Sequence, residues 1–505
     1  MLNITTFLDA NARRLDKQVF HCPERNTSYT SQEILAICSE IARALLASGI
    51  NKGDRVMLYM NSTPEYLFSY FAVWRIGAIA VPTNRVYTES ELQYMLTDSG
   101  AKVIITDFEG AKIARNLNVI IYVPENIEAF RKTEVLPPAK TEFNDVCQLQ
   151  YTSGTTGRPK GAMLTHGNWF TAIHNECDVL ALNQNDVYLG IYPMGHVGLS
   201  WGIAAMRSGA LYVMMERYEP EAYLAHCETY KVNVLAGMPP VIHYLCEAPE
   251  GTEKRLETVR EIISGGGPLH NGIWKNFYER YSIPIVNAYG LSETVVIGTG
   301  TVIRPVDYST ADRFESVGHP VCFSEVKIVD EGDSSREMPT GISGEIALRG
   351  PAVALGYWNM PEETKEAFLE SGWFLTGDVG YLDQDNRLCI TDRKKDMIVM
   401  SGWKIYPTEV EDALLKYSKV AEVAIFGIPH EHRGEIPVAA VVWKEEADES
   451  GLLSFAKEHL AGYKIPRKII SVDALPRVNG WKLLRRECGK NIPKNYFKVQ
   501  PFFQG

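Results

Sequence analysis

Lys102–Thr106 reads KVIIT and Val119–Val123 reads VIIYV, and these two runs decide the fold. In each, apolar residues follow one another without polar alternation. Strands buried on both faces have that texture, and parallel sheets covered by helices produce such strands. Further short runs of the same kind are Val187–Tyr192, Val232–Ala236, Glu261–Ser264 and Ile283–Asn287. Between them lie segments of helical composition, among them Glu89–Ser99 and Glu253–Glu261. The alternation predicts an α/β protein whose large N-terminal domain has parallel-rich sheets sandwiched by helices.

From about Asp392 the texture changes. Thr408–Tyr417 (TEVEDALLKY) reads as a helix opened by a Thr408/Glu411 capping box, with Val410, Ala413, Leu414 and Tyr417 on one face. Strands are expected at Val420–Phe426, Pro437–Lys444 and Ile469–Val472, with a helix at Leu452–Leu460. This reads as a small α+β domain of about a hundred residues. Asp392–Met397 (DRKKDM) is charged and expected to be an exposed linker, dividing the chain into residues 1–392 and 393–505. At 505 residues the chain exceeds one ordinary core, as two domains require.

Hydrophobic residues make up 45% and charged residues 22%, a soluble globular composition rather than a disordered one. The net charge of -11 gives nucleic acid no electrostatic footing. Met1–Arg14 lacks the basic-then-apolar order of a secretory signal. The most apolar stretch, Tyr66–Trp74, is far short of the roughly 20 residues of a membrane span. Nine scattered cysteines without a CxxC pair read as reduced core thiols, not a disulfide frame or zinc site. A cytoplasmic protein is expected.

Tyr151–Gly161 reads YTSGTTGRPKG. Gly154 and Gly157 let the backbone approach a ligand and aim N–H groups into one concavity. Thr152, Ser153, Thr155 and Thr156 add hydroxyl donors, and Lys160 adds a cation for a polyphosphate. A Walker A loop needs a hydroxyl after the lysine, whereas Gly161 follows Lys160, so a conventional P-loop is excluded.

The loop resembles the signature of the adenylate-forming superfamily, which includes acyl-CoA synthetases, firefly luciferase and peptide-synthetase adenylation domains. The resemblance extends in family order from Gly53-Asp54-Arg55-Val56 to the Lys482 region. It implies ATP, Mg²⁺ and CoA as cofactors and a mobile C-terminal domain. In Ala288–Thr294 (AYGLSET) it assigns Tyr289 to adenine, Ser292 to phosphate and Glu293 to Mg²⁺, with Asn287 bonding the adenine amino group. A carboxylate beside phosphates is the right ligand for a hard cation. In Thr376-Gly377-Asp378 it assigns Asp378 to the ribose hydroxyls, and in the junction it assigns Arg393 to ribose or phosphate and Lys395 to the hinge. Gly344-Glu345 and Gly356-Tyr357-Trp358 also match and are read as structural.

Pro476–Arg486 (PRVNGWKLLRR) resembles the family's catalytic-lysine segment and assigns Lys482 to bridge the acid's carboxylate and the ATP α-phosphate. The repulsion of two approaching anions is the barrier such a cation lowers. Trp481 departs from the family pattern, which has glycine there.

Tyr192–Gly198 (YPMGHVG) resembles an acyl-CoA synthetase segment in which the histidine, here His196, gates acyl pocket and thiol tunnel. Ser401-Gly402-Trp403 resembles the hairpin lining the pantetheine tunnel. The expected pocket lining is Trp169, Val197, Met238, Ser264 with Gly265, Gly266 and Gly267, and Ala288. Amino-acid-activating relatives place an Asp near Val197, so an acid without an α-amine is expected. Ser316–Pro320 resembles the carnitine/crotonobetaine ligase branch, which keeps a polar or charged acid open. The resemblance thus implies a carboxylic acid–CoA ligase working through an acyl-adenylate. The alternatives are an enzyme loading a carrier protein in trans and a non-catalytic acyl-adenylate-binding protein.

Overall fold

The computed structural model describes residues 3–152, 159–304, 314–401, 403–430, 432–478, 482–485 and 488. Strands Val103–Thr106 and Ile120–Tyr122 form where the two deciding runs stand, paired in parallel. They belong to a six-stranded sheet completed by Arg55–Tyr59, Ile79–Thr83, Val146–Thr152 and Lys160–Thr165. Only the last pair is antiparallel, and it is the hairpin that carries the hydroxyl- and glycine-rich loop.

A second, nine-stranded sheet has a parallel centre running Ile285–Leu291, Glu261–Ser264, Val234–Ala236, Val187–Gly190, Leu211–Met214 and Gln18–Cys22. Between the two sheets lies helix Pro64–Arg75, in which every residue but the half-buried Glu65 is buried. A helix apolar on all sides needs protein on all sides, which a position between sheets provides. Its C-terminal Arg75 is 1% exposed and held by both oxygens of Asp9 at 2.9 Å. The third sheet is antiparallel, running Glu325–Val329, Gly344–Arg349, Phe374–Leu382 and Leu388–Arg393.

The C-terminal part has its own core, with Val410 and Leu414 of helix Pro407–Leu414 packed against strands Val420–His430 and Gly434–Trp443. Helix Glu449–His459 and strand Lys468–Ser471 complete it. All nine cysteines are unpaired, five of them buried.

Three local expectations are corrected. Glu253–Glu261 is helical only over Thr252–Arg255, because the Thr258 hydroxyl bonds the Val232 carbonyl (2.7 Å) and draws the chain into the next strand. The Thr408/Glu411 capping box does not form. Pro407 opens the helix after Tyr406, and the Glu411 carboxylate is taken by the Ile425 N–H (2.8 Å) and the Arg485 guanidinium (2.6 Å). The junction Asp392–Met397 is not an exposed linker: Asp392 is buried and accepts from the Thr408 N–H at 2.8 Å, and its neighbours are half-buried. A tethered junction orients the small domain where a loose one would not.

Gly290 shows how tightly the nine-stranded sheet is built next to the AYGLSET segment. A Cβ there would stand 1.7 Å from the Val296 carbonyl oxygen of the antiparallel neighbour. Gly290→Ala must therefore open the strand pair, at a cost of about 1–3 kcal/mol or more by the usual penalty for overpacking. A lowered urea midpoint together with weakened ATP binding checks this; wild-type values for both would refute it.

Candidate active site

The parallel strands of the nine-stranded sheet end on one side, and open α/β sheets bind ligands beyond those carboxyl ends. Asn287 and Ala288 lie on Ile285–Leu291, paired through Ser264↔Asn287 with the strand that leads into Gly265 and Gly266. Met238 follows Val234–Ala236, and His196 and Val197 follow Val187–Gly190. The residues assigned to the acyl pocket thus converge from four neighbouring strands. Val197, Met238 and Ala288 are buried, and a Cβ on Gly265 would come within 2.9 Å of the Ala288 carbonyl. His196 is half-buried and caps the turn Val197–Leu199. Trp169 lies on helix His166–Val179. It is fully buried against Trp74 (ring centroids 4.9 Å), because its helix face points into the core between the sheets.

One side-chain cluster centres on Asp378, 5% exposed. The Tyr289 hydroxyl donates to its Oδ2 at 2.8 Å, and the Arg393 guanidinium lies 3.3 Å from its Oδ1. Strand pairing sets Asp378 opposite Arg393. Burial first, and the Asp378 charge second, push the Tyr289 phenol well above its ordinary range, so it stays a donor. Thr376–Asp378, an irregular stretch inside strand Phe374–Leu382, is fixed by Glu345, which accepts from the Gly377 N–H (3.2 Å) and from Lys394 Nζ (2.7 Å). Glu345 thus joins the Thr376–Asp378 stretch to the junction, in keeping with a structural role.

A second cluster centres on Glu293, 8% exposed in the turn Ser292–Thr294. Its Oε1 accepts from the Tyr357 hydroxyl at 3.0 Å. Lys160 Nζ lies 5.1 Å from the centroid of the Tyr357 ring. Tyr357 is drawn there because Gly356–Trp358 pairs with the strand after the phosphate loop: Met163 N–H donates to Gly356 (2.9 Å) and Trp358 N–H to Gly161 (2.8 Å). The Gly356-Tyr357-Trp358 match signalled the segment, but nothing in sequence tied its aromatic to Glu293. Just after the turn, Val295 and Val296 both have positive φ (48° and 54°), unusual for β-branched residues and costing on the order of 1–3 kcal/mol each. Such strain is retained where a neighbouring geometry is held in place.

Burial raises the Glu293 carboxyl above its usual range, and a divalent cation at this carboxylate would hold it ionised. Among the described residues no group of three acidic, His or Cys side chains forms a metal cage. One carboxylate beside a phosphate loop fits Mg²⁺, which keeps waters and takes its other ligands from substrate phosphates.

The remaining assigned residues are placed as follows. Thr152 and Lys160 face each other at the mouth of the hairpin. Ser153, Gly154, Thr155, Thr156 and Gly157 lie outside the described residues, as do Gly402 and Trp481. Ser292 is half-buried at the start of the Glu293 turn, and Lys395 is half-buried in the junction. Ser401 has φ 51°. Trp403 is 59% exposed and stacks on Tyr463, so in this arrangement it faces solvent. Lys482 is in a two-stranded hairpin opposite Val478, and its side chain lies outside what is described. Arg485, three residues further on, pins that hairpin to Glu411 (2.6 Å) and to Asp396 of the junction (3.7 Å).

Residues 7–358 match the AMP-binding enzyme family, and residues 409–480 match the AMP-binding enzyme C-terminal domain. The chain is 33% identical over 472 residues to a feruloyl-CoA synthase of Amycolatopsis sp, covering 92% of this chain and 94% of that protein. It is 33% identical over 490 residues to a 2-succinylbenzoate–CoA ligase of Geobacillus kaustophilus, covering 95% and 98%. Among solved structures, ATP-bound MatB from Rhodopseudomonas palustris superposes with TM-score 0.90 at 28% identity, covering 98% of this chain and 99% of that one. The chain therefore belongs to the AMP-binding enzyme family, in the acyl-CoA ligase branch of the adenylate-forming superfamily.

Tyr357→Phe removes the donor on Glu293 but keeps the ring beside Lys160. Loss of one hydrogen bond to a charged group is worth about 1.5–3 kcal/mol, so the ATP-dependent step should slow by about tenfold or more. Steady-state rates at varied Mg²⁺ check this, with a raised Mg²⁺ requirement expected; an unchanged requirement would detach Tyr357 from the metal carboxylate.

Proposed function

We propose that the protein is an ATP-dependent carboxylic acid–CoA ligase in which one site serves two steps. The observation that carries this reading is the convergence of the Asp378–Tyr289–Arg393 and Glu293–Tyr357–Lys160 clusters beside the strand ends that hold Asn287, Ala288 and Gly265. In the first step the acid's carboxylate oxygen attacks the α-phosphorus of ATP, and pyrophosphate leaves. Asp378 accepts the ribose hydroxyls while Tyr289 packs on adenine and Asn287 bonds its amino group. Thr152–Lys160 seats the phosphates, helped by Ser292. Glu293 would hold Mg²⁺, which would supply neutralisation of phosphate charge. Lys482 lies between the two anions and lowers their repulsion.

In the second step the CoA sulfur attacks the acyl carbonyl, the thiol proton passes to solvent, and AMP leaves with the acyl C–O bond. The small domain, residues 393–505, turns about Lys395, withdrawing Lys482 and bringing Ser401–Trp403 to the pantetheine path past His196. Exposed Trp403 fits the adenylating arrangement, in which that hairpin is idle. The family matches and the 33% identity over nearly the whole chain to CoA ligases support CoA as the acceptor over a carrier protein. The presence of both Glu293 and Lys482 supports catalysis over mere binding. Among the described residues no helix is long and apolar enough to cross a membrane.

Incubation with ATP, Mg²⁺, CoA and a pool of carboxylic acids, read by mass spectrometry, should yield an acyl-CoA and AMP. Lys482→Ala should cut acyl-adenylate formation at least about 100-fold, the scale of a single electrostatic group, while sparing ATP binding. An unaltered rate would sink the assignment.

The adenylating arrangement is also held by His270, at the cap of helix Asn271–Tyr281, bonded to Asp412 of the small domain at 2.5 Å. Burial pulls the imidazole down, but the Asp412 bond and charge outweigh it, and the net shift is upward. The contact is thus complete below the ordinary imidazole range and weakens as pH rises through the raised value. Protease cleavage at the junction should increase over that rise in the wild type and lose its pH dependence in Asp412→Asn. Equal pH dependence in both would remove His270 from domain positioning.

A further inference from the structure

The segment carrying His196 leaves the nine-stranded sheet after strand Val187–Gly190, yet its backbone is held from the six-stranded sheet and the helix between the two. The Tyr70 hydroxyl of helix Pro64–Arg75 donates to the Met194 carbonyl at 3.0 Å. The Met194 N–H donates to the Ser62 hydroxyl at 3.1 Å. A Cβ on Gly195 would stand 3.2 Å from both Asn84 Cβ and the Thr83 carbonyl oxygen, at the end of strand Ile79–Thr83. The Gly195 carbonyl, directly before His196, accepts from the side-chain amide of Gln150 at 3.1 Å.

Gln150 is 1% exposed on strand Val146–Thr152, two residues before Thr152 and the phosphate loop. Its orientation is fixed at both ends. A carbonyl can only accept, so Nε2 must face Gly195, while Oε1 accepts from Gln148 Nε2 at 2.8 Å. Gln148 is fully buried, and its own Oε1 has no hydrogen-bond partner among the described residues. Two buried amides with one oxygen unsatisfied are a less stable filling for this sheet face than apolar side chains of similar shape. What they provide that apolar side chains could not is a directed bond to the Gly195 carbonyl.

We propose that Gln150 is a positioning residue for His196, setting where the imidazole stands between acyl pocket and thiol path. The Gly195 carbonyl and the His196 N–H belong to one planar peptide. Gln150 ties its oxygen, and the Pro193 carbonyl accepts from its N–H at 3.2 Å. A peptide held at both ends fixes the direction from which the His196 side chain departs. The strand that enters the phosphate loop thereby also locates the histidine, so the thiol path is aligned on the nucleotide site. This inference rests on the two-step ligase reading for its kinetic consequence, but not for its effect on the ring.

Gln150→Leu removes the donor, whereas Gln150→Glu keeps the shape and restores a donor only while the new carboxyl is protonated. Acyl-adenylate formation from ATP and the carboxylic acid pool, and thioester formation once CoA is added, are timed separately in the full-length protein. Gln150→Leu should slow the thioester step at least about tenfold more than the adenylate step, the scale of a reacting group misplaced by a fraction of an ångström. Gln150→Glu should stay near wild type at about pH 6 and lose the thioester step as pH rises, since burial favours the protonated carboxyl. Without substrates, diethyl pyrocarbonate modification of His196, mapped by peptide mass spectrometry, should change in rate in Gln150→Leu and match wild type in Gln150→Glu at the lower pH. Urea midpoints establish that both variants fold. Equal slowing of the two steps, equal deficits of the two variants at about pH 6, or an unaltered His196 modification rate in Gln150→Leu would overturn the proposal. A Gln150-dependent modification rate with no thioester from any acid would sink the ligase reading and leave the positioning of His196 standing.

Discussion

The buried carboxylate of Asp378 is the constraint around which the site is assembled. It receives the Tyr289 hydroxyl from the nine-stranded sheet and the Arg393 guanidinium from the last strand before the junction. An ionised group at 5% exposure persists only if donors surround it, so these partners must arrive together. Satisfying Asp378 therefore docks the antiparallel sheet on the parallel one and sets the direction in which the chain enters its C-terminal part. Glu345 reinforces the same joint by holding the Gly377 backbone and Lys394 at once.

Close backbone approach does the corresponding work around Glu293. Gly290 admits the Val296 carbonyl, and Gly298 and Gly300 face contacts of 2.6 Å and 2.1 Å that no side chain would allow. The strand pair can then curl sharply enough to hold the Ser292–Thr294 turn, with the positive φ of Val295 and Val296 as the local cost. Tyr357 reaches Glu293 across this turn from a segment sixty-odd residues away. The two carboxylates are thus neighbours by tertiary pairing, though each lies in a short motif of its own.

The small domain is bound by charge instead of apolar burial. Lys394 to Glu345, Lys404 to Glu331 and His270 to Asp412 all cross from the large domain to the junction or beyond. Contacts of this kind form and break at low net cost because water replaces them, unlike a greased interface. Such an interface suits the domain rotation proposed above, in which Lys482 serves one step and the Ser401–Trp403 hairpin the next. The Arg485 bonds to Glu411 and Asp396 tie the lysine hairpin to helix Pro407–Leu414 and to the junction.

Sequence alone determined the strand-and-helix alternation, because runs such as KVIIT have few alternatives to a doubly buried strand. It also determined the candidate motifs, since glycine, hydroxyl, carboxylate and lysine at those spacings state their chemistry locally. Helix Glu89–Ser99 and strand Glu261–Ser264 form over the residues read from it. What it did not determine were side chains whose partners are distant along the chain. Glu411 looked like a capping residue, yet Arg485 and Ile425 claim its carboxylate. The junction looked solvated, yet Asp392 accepts from a backbone N–H of the next helix. Nothing local to Tyr357 or Glu345 announced their distant partners Glu293 and Lys394. Local pattern reports what a residue can do; which buried polar groups must satisfy one another is settled only when the sheets close, because desolvation penalises every group left unpaired.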